Sequence, residues 1–278
     1  MSETPLAQLA CPVCNAMLTS DEKTLRCENN HSFDRAKQGY WNLLLVQRKR
    51  SKDPGDNPEM VDARTQFLDK QHYRPLAEHV CNEVKAVLND IAQPKLLDMG
   101  CGEGYYTAQL ADAVPHAALI GLDISKHAIK AACRRSKSIT WLVASGAQMP
   151  IPEHSQDMLT VMFSRLMPEA FANALKPNGH LLLVWPAQEH LIELRRTIYN
   201  EIKQSDFDPI ADLSQHFSLL KQDTLLFNFT LNSKEEVQAL LDMTPHSQRM
   251  PHDKQAALLS SVPFKLTFHV NVALLQRL

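Results

Sequence analysis

The fold is decided by the stretch Leu96-Leu97-Asp98-Met99-Gly100-Cys101-Gly102-Glu103-Gly104-Tyr105, in which a short apolar run ends in three closely spaced glycines. A helical pattern follows, so the stretch predicts a strand, a tight turn and a helix. Glycine suits such a turn because it adopts positive φ angles at low cost. A ligand can also lie directly on the bare backbone of a glycine turn.

A second apolar run, residues 118–122, ends at Asp123, which lies 19 residues after Gly104. A carboxylate at the end of that strand can accept hydrogen bonds from both hydroxyls of a ribose lying across the glycine turn. Together the two features predict a nucleoside-containing cofactor at the carboxyl ends of parallel strands. The alternative is an ordinary strand-to-helix turn in a domain that binds no ligand.

The spacing of the glycines indicates which cofactor binds. A dinucleotide-binding turn has the pattern G-x-G-x-x-G, but here Tyr105 stands in the third glycine position and Gly104 comes one residue early. The observed G-x-G-x-G resembles motif I of the class I methyltransferases, which use S-adenosylmethionine (SAM). The turn can cradle the amino-acid tail of SAM, which has no pyrophosphate.

Length and composition limit the kind of protein. A chain of 278 residues that is 44% hydrophobic and 22% charged can form one large domain and one small one. The first residues show no signal peptide, and no apolar stretch approaches the roughly 20 residues that span a bilayer. We therefore expect a cytoplasmic protein whose six cysteines are thiols or metal ligands rather than disulfides.

The chain opens with a metal-binding pattern. The four potential ligands are spaced C-x₂-C-x₁₂-C-x₃-H, and they are Cys11, Cys14, Cys27 and His31. This donor set closes a tetrahedral zinc site and leaves no open position, so the predicted zinc is structural. The surrounding segment has few core residues and needs a metal to fold. The alternative is that the four side chains are unrelated.

Charge is distributed unevenly. Residues 1–52 carry eight Lys and Arg against five Asp and Glu, whereas the remainder carries 21 against 26. The basic end contains the aromatic residues Phe33, Tyr40 and Trp41, and it closes with a run containing Arg48, Lys49, Arg50 and Lys52. Basic side chains can neutralise phosphates, and aromatics can stack on splayed bases. A solvated charge run beside the small domain's own aromatic core explains the segment slightly better when it is considered alone.

The whole pattern predicts an α/β protein with a small N-terminal zinc-binding domain and a Rossmann-like class I methyltransferase domain. Its sheet should be mostly parallel and doubly wound with an antiparallel edge. We expect a zinc-binding, RNA-recognition head at residues 1–52, a linker and helical lid at 53–94, and the methyltransferase domain at 95–278. The domain's strands are predicted at 95–99, 118–122, 139–143, 157–163 and 180–185, and the late edge pair at 224–231 and 264–276. Helices are predicted at 59–88 with a break at 72–75, and at 104–113, 125–135, 167–175 and 190–203.

Over essentially its full length the chain resembles the 23S ribosomal RNA guanine-N1 methyltransferases. The resemblance is carried by the four zinc-ligand positions, by Asp53-Pro54-Gly55-Asp56 in the linker, and by shorter matches along the catalytic domain. These matches are Ala63-Arg64, His72-Tyr73, residues 100–107, Gly121-Leu122-Asp123, His190-Leu191 and Met243-Thr244-Pro245. Several are unusual sequences rather than general methyltransferase features.

The resemblance implies a function and a set of site residues. It implies methyl transfer from SAM to N1 of a guanine in a 23S rRNA hairpin, with the base unpaired or flipped out because pairing hides N1. The cofactor-binding residues are expected to be Tyr73, Gly100, Gly102, Glu103, Gly104, Asp123 and His190. The catalytic base is not identified; Tyr73 and His190 are candidates, but both are assigned more readily to the cofactor.

The chain departs from the family on the substrate side. Gln71, Ser164-Arg165 and Asn178 replace residues that the family usually has, and His246, Ser247 and Gln248 stand where it tends to have aromatics. Two other functions therefore stay open: a methyltransferase of small molecules with the zinc head as a scaffold, and a non-catalytic RNA-binding protein that kept the fold. The sequence also leaves open whether the chain forms a homodimer.

Overall fold

The computed structural model describes residues 7–21, 23–49, 51–199, 201–202, 206–244 and 250–278. Arg50, Pro245, His246, Ser247 and Gln248 lie outside the described residues. The strands are Leu9–Ala10 (β1), Met17–Ser20 (β2), Thr24–Arg26 (β3), Ser32–Asp34 (β4), Trp41–Asn42 (β5), Lys95–Met99 (β6), Ala118–Asp123 (β7), Thr140–Val143 (β8), Gln156–Met162 (β9), Leu175–Pro186 (β10), Phe217–Leu231 (β11) and Phe264–Arg277 (β12). The α-helices are Pro58–Asp69 (α1), Arg74–Leu88 (α2), Tyr105–Ala113 (α3), Lys126–Arg135 (α4), Pro168–Ala174 (α5), Ile192–Ile198 (α6), Pro209–Leu213 (α7), Lys234–Met243 (α8) and His252–Leu259 (α9).

The large sheet has the strand order β11-β12-β10-β9-β6-β7-β8-β5. The pairs from β10 through to β5 are parallel, whereas β12 pairs antiparallel with both β10 and β11. This arrangement confirms the predicted fold class. The chain runs from β6 outward to β7 and β8, and then returns to β9 on the other side of β6. The strand order therefore reverses between β6 and β9, and a crevice for a ligand forms where such a reversal occurs.

Two hydrophobic cores lie on the two faces of this sheet. Along β6, Leu96 belongs to one core and Leu97 to the other, and along β9 the same is true of Met158 and Leu159. The alternation follows from the two-residue period of a strand, and a strand covered on both faces has no side exposed to water. All seven residues of β9 are accordingly buried.

The zinc-binding segment covers part of the second face of the sheet. Its own sheet has the order β1-β2-β3-β4, and its residues Leu9, Leu25 and Trp41 share a core with Leu97 and Ile120. The strand β5 then pairs in parallel with β8 and becomes an edge of the large sheet. The division of the chain at residue 52 stays a prediction, but the two parts share one core.

The predicted helical region at 59–88 is two helices, and the break between them lies at residues 70–73 rather than at the predicted 72–75. Gln71 has a φ of 61° between α1 and α2, and Pro75 lies in the first turn of α2, where its missing N–H costs nothing. The helix predicted at 190–203 is shorter, because α6 spans Ile192–Ile198. The strand predicted at 224–231 is longer, because β11 begins at Phe217.

The helix α8 was missed, although the sequence carries a signal for it. The Ser233 hydroxyl accepts from the Glu236 N–H, and the Glu236 carboxylate accepts from the Asn232 N–H at 2.7 Å. A serine followed three residues later by a glutamate is the pattern of a capping box. Separately, none of the helices in the described part of the chain has the length and apolar content that a membrane span requires.

Candidate functional site

The predicted zinc ligands come together at one point of the N-terminal segment. The ligand atoms of Cys11, Cys14, Cys27 and His31 all lie within 4.8 Å of one another. The Cys14 and Cys27 sulfurs are 3.7 Å apart, and the Cys27 sulfur lies 3.4 Å from His31 Nδ1. A tetrahedral zinc with Zn–S bonds of about 2.3 Å requires S···S and S···N edges of about 3.8 and 3.5 Å. The four side chains are therefore positioned to bind zinc.

Local turns bring the four zinc-ligand side chains together. The Asn15 N–H donates to the Cys11 carbonyl and the Asn30 N–H to the Cys27 carbonyl, and both asparagines have positive φ. Asparagine tolerates that conformation better than other non-glycine residues. The Asn29 side chain also donates to the Cys14 sulfur, and this hydrogen bond is the main cause that lowers the pKa of Cys14 to about 6. A lowered pKa favours the thiolate that zinc requires.

A cavity of about 540 Å³ lies at the carboxyl ends of β6, β7, β9 and β10. It therefore occupies the crevice where the strand order reverses. Six of the predicted cofactor-binding residues line it, and they are Tyr73, Gly100, Gly102, Glu103, Asp123 and His190. Gly104 does not line the cavity.

The turn that follows β6 uses its glycines in two different ways. Gly102 has a φ of 56° and forms part of the cavity wall, where the nearest atom to an added Cβ would be Arg64 Nη1 at 3.7 Å. A ligand can therefore approach its backbone. Gly104 has a φ of 83°, and an added Cβ would lie 2.7 Å from a ring atom of Trp141. Its role in the structure is to let α3 begin close to that ring.

Asp123 is fixed by two backbone donors. One carboxylate oxygen accepts from the Gly102 N–H at 2.9 Å, and the other accepts from the Ser125 N–H at 2.7 Å. Each oxygen can accept a further hydrogen bond, because a carboxylate oxygen has two lone pairs. Burial raises the pKa of Asp123. The carboxylate thus holds the glycine turn in place and also faces the cavity.

Glu103 has one carboxylate oxygen in an ion pair and one without a partner. Arg135 donates to Oε2 at 2.5 Å and also pairs with Asp69 at 3.0 Å. Oε1 is buried and has no hydrogen-bond partner among the described residues, and the side chain is only 1% exposed. A buried acceptor without a donor is costly, so this atom, beside the cavity, is suited to a donor group of a ligand.

Asp98 is as deeply buried in the cavity wall as Glu103. Its two oxygens accept from the hydroxyls of Thr107 and Thr160 at 2.6 and 2.8 Å. Burial is the main cause that raises the pKa of Asp98 to about 6. The ionised form therefore predominates at neutral pH but not in mild acid.

Tyr73 and His190 form an aromatic side of the cavity. The Tyr73 ring packs edge-on against Phe268 at a centroid distance of 4.4 Å, and His190 lies 5.0 Å from the same phenylalanine. Burial raises the pKa of Tyr73 well above its usual range. The Nδ1 atom of His190 accepts from the His269 N–H, so a neutral His190 ring carries its proton on Nε2.

Several residues that border the cavity have no site role predicted from the sequence. Gly55 and Asp56 of the linker line it, and the Ser125 hydroxyl donates to the Asp56 carbonyl at 2.7 Å. Arg64 forms an ion pair with Asp56 and also donates to the Met243 carbonyl. The linker therefore closes one side of the cavity. The sequence signal that could have pointed to these residues was the family resemblance at residues 53–56 and 63–64.

Comparison with known proteins agrees with both parts of the structure. The zinc-ribbon family described as "RlmA, N-terminal" matches residues 9–52. A family described as "Methyltransferase domain" matches residues 96–179. The first match contains the four zinc ligands, and the second contains the glycine turn and Asp123.

Three relatives match nearly the whole chain. A 23S rRNA (guanine(748)-N(1))-methyltransferase of Streptomyces fradiae is 31% identical and covers 95% of this chain and 94% of the relative. A Micromonospora griseorubida protein named "Putative 23S rRNA (guanine-N(1)-)-methyltransferase" is 33% identical and covers 96% of this chain and 97% of the relative. A Bacillus subtilis protein that carries the same kind of name, YxjB, is 27% identical over 94% of both chains.

Proposed function

The chain belongs to the family of 23S rRNA (guanine-N1)-methyltransferases, and from this membership we propose that it transfers a methyl group from SAM to N1 of a guanine in 23S rRNA. The observation that carries the proposal is the cavity at the strand reversal, whose wall contains six of the seven residues expected to bind SAM. The zinc ribbon, which shares a core with the sheet, is the part assigned to RNA recognition.

The charges of the cavity fit SAM. The cofactor has two positive centres, the sulfonium and the α-ammonium group, and one negative centre, the carboxylate. The wall contains the carboxylates of Asp56, Asp98, Glu103 and Asp123 together with the guanidinium of Arg64, which pairs with Asp56. The free Oε1 atom of Glu103 can accept from the ammonium group, and Asp123 can accept from the ribose hydroxyls.

SAM, held by Glu103 and Asp123, would supply an electrophilic methyl group, and N1 of guanine would have to lose its proton to present a lone pair to it. The protein's task is to hold the two reactants in line and to exclude water. Tyr73 is poorly suited to accept the proton, because burial raises its pKa and keeps the phenol protonated. A neutral His190 offers a proton on Nε2 rather than a lone pair. We assign both residues to holding the cofactor.

The RNA substrate fits the division of charge along the chain. We propose that the target guanine lies in a hairpin, as in the family that the chain resembles, and that the basic end of the chain approaches the phosphates. Lys49 and Lys52 of the basic run belong to the described residues, whereas Arg50 and the side chain of Arg48 do not. The cytoplasmic location and a homodimer stay predictions from the sequence.

The test of the proposed function uses the purified protein, labelled SAM and an unmodified in vitro transcript of 23S rRNA. We expect label in the RNA and 1-methylguanosine in its nuclease digest. Methylation at N1 blocks Watson–Crick pairing, so reverse transcription should stop at the modified position and map it. Transfer to free guanosine but not to RNA would indicate a small-molecule enzyme. RNA binding without transfer would indicate a non-catalytic protein.

The raised pKa of Asp98 predicts how cofactor binding depends on pH. Because the ionised carboxylate attracts the positive centres of SAM, affinity should fall as pH drops through about 6. We expect a loss of up to about tenfold between pH 7 and 5, since one group with this pKa is then roughly 90% protonated. Titration calorimetry at both pH values measures the effect. The variant Asp98→Asn should bind SAM more weakly at pH 7 and give a flatter profile, and an affinity equal at both pH values in the parent would contradict the prediction.

A further inference from the structure

Phe163 is a large aromatic residue exposed at the edge of the cofactor cavity. It follows β9 directly, lines the cavity and is 41% exposed. Its ring stacks on His190 at a centroid distance of 6.1 Å and an interplanar angle of 30°. An aromatic side chain that served only the core would be covered on both faces. Phe163 instead keeps part of its surface open to solvent, at the edge of the cavity assigned to SAM.

The backbone at Phe163 is held in a conformation that a phenylalanine rarely adopts. Its φ is 52°, in the left-handed region that glycine would occupy without strain. The Phe163 N–H donates to the Val184 carbonyl at 3.0 Å, so the strand β10 fixes this geometry. Strained residues of this kind cluster at functional sites because another requirement outweighs the cost. Here the consequence is an aromatic ring at the cavity mouth.

The neighbouring residues suit a nucleic acid. Arg165 is exposed, and no residue in the described ranges forms an ion pair with its guanidinium. Ser164 contacts the glycine turn, since an added Cβ at Gly100 would lie 2.3 Å from its hydroxyl oxygen. The segment therefore places an aromatic ring and a positive charge within three residues, next to the backbone assigned to SAM. A base can stack on the aromatic ring, and a phosphate can pair with the positive charge.

We propose that Phe163 is the platform on which the target guanine stacks when it has left its base pair, so that N1 faces the cofactor cavity. The proposal rests on the proposed function, because it requires an RNA guanine as substrate. An unpaired base needs such a surface, since leaving the helix removes its stacking partners. Phe163 is a positioning residue for the substrate, whereas the cofactor is assigned to the glycine turn, the acidic side chains and the neighbouring His190.

The test compares four variants in the rRNA methylation assay and in SAM calorimetry. Because one base–aromatic stack is worth roughly ten- to a hundredfold in affinity, Phe163→Ala should lower kcat/KM for the rRNA by about that factor. Its SAM affinity should change by less than about threefold. Phe163→Tyr should retain most of the activity, because tyrosine presents a similar ring. The matched control Phe207→Ala removes another exposed phenylalanine and should behave as the parent.

Phe163→Gly separates a substrate role from a structural role. Glycine removes the strain at positive φ, so the thermal midpoint of the Phe163→Gly variant should equal or exceed that of the parent. Its rRNA methylation should fall at least as far as that of Phe163→Ala. A structural role would lower stability and activity together. If the parent and Phe163→Ala methylate the rRNA equally well, the inference about Phe163 is overturned and the proposed function stands. A parent that transfers no methyl group to the rRNA overturns the proposed function and this inference with it.

Discussion

Cys27→Ala is expected to release the zinc and to destabilise the whole chain, not the N-terminal segment alone. The parent should carry about one zinc per chain, because its four ligand side chains form one complete tetrahedral site. Removing one thiolate leaves three ligands and strongly lowers the affinity of the site for zinc. Binding of structural zinc contributes about 10–16 kcal/mol to the folding of small zinc domains at neutral pH, so this segment should unfold.

The effect should spread because the zinc segment covers a face of the large sheet. Leu9, Leu25 and Trp41 pack in one core with Leu97 and Ile120, and β5 forms an edge of the sheet through its pairing with β8. Unfolding of the segment would expose apolar residues of β6 and β7 to water. Exposed apolar area costs about 25 cal/mol per Å², so the catalytic part should also melt at a lower temperature.

Elemental analysis of undenatured protein and thermal melting by circular dichroism measure the two effects. The matched control is Cys81→Ala, which removes a partly buried cysteine of α2 outside the zinc cluster and should keep its zinc. A parent without zinc, or a Cys27→Ala variant that holds a full equivalent, would refute the assignment. A variant without zinc whose catalytic part melts as in the parent would show that the shared core contributes little to stability.

Asp123→Ala is expected to weaken SAM binding by at least about tenfold. Hydrogen bonds to a charged group contribute about 1.5–3 kcal/mol each, and a loss of 1.4 kcal/mol corresponds to a factor of about ten. Two ribose hydroxyls would lose their acceptor. The Gly102 N–H would also lose its carboxylate partner, so the turn that receives the cofactor would be less well fixed.

Asn is not a neutral replacement at this position. Both Asp123 oxygens accept from backbone N–H groups, so an amide would have to direct its NH₂ group at one of these donors. We therefore expect Asp123→Asn to lose affinity as well, although its volume is unchanged. The matched control Asp90→Ala removes an exposed acid outside the cavity wall and should leave the affinity as it is. Calorimetry that gives the parent's affinity for Asp123→Ala would place the cofactor elsewhere.

Patterns that are local in the chain determined the zinc ligands and the centre of the fold. The zinc-ligand spacings and the alternation of strands and helices are short-range features, because periodicity and turn chemistry act within a few residues. The capping box at Ser233 and Glu236 is also local, so α8 could have been predicted from the sequence. The place of Asp123 in the cavity wall could be predicted because the end of one parallel strand lies beside the turn that follows its neighbour.

The tertiary structure alone decided how distant segments complete the sheet and the cavity. Residues 41 and 142 are paired, and Arg64 reaches the carbonyl of Met243; such contacts leave no periodic signal, because each side chain would suit many partners. The positive φ of Phe163 likewise depends on its hydrogen bond to Val184. The sequence by itself determined the SAM-type turn and the zinc ligands, which depend on local backbone geometry. Only the folded chain decided that the zinc ribbon covers the sheet and that an aromatic ring stands at the mouth of the cavity, since both depend on packing between segments far apart in sequence.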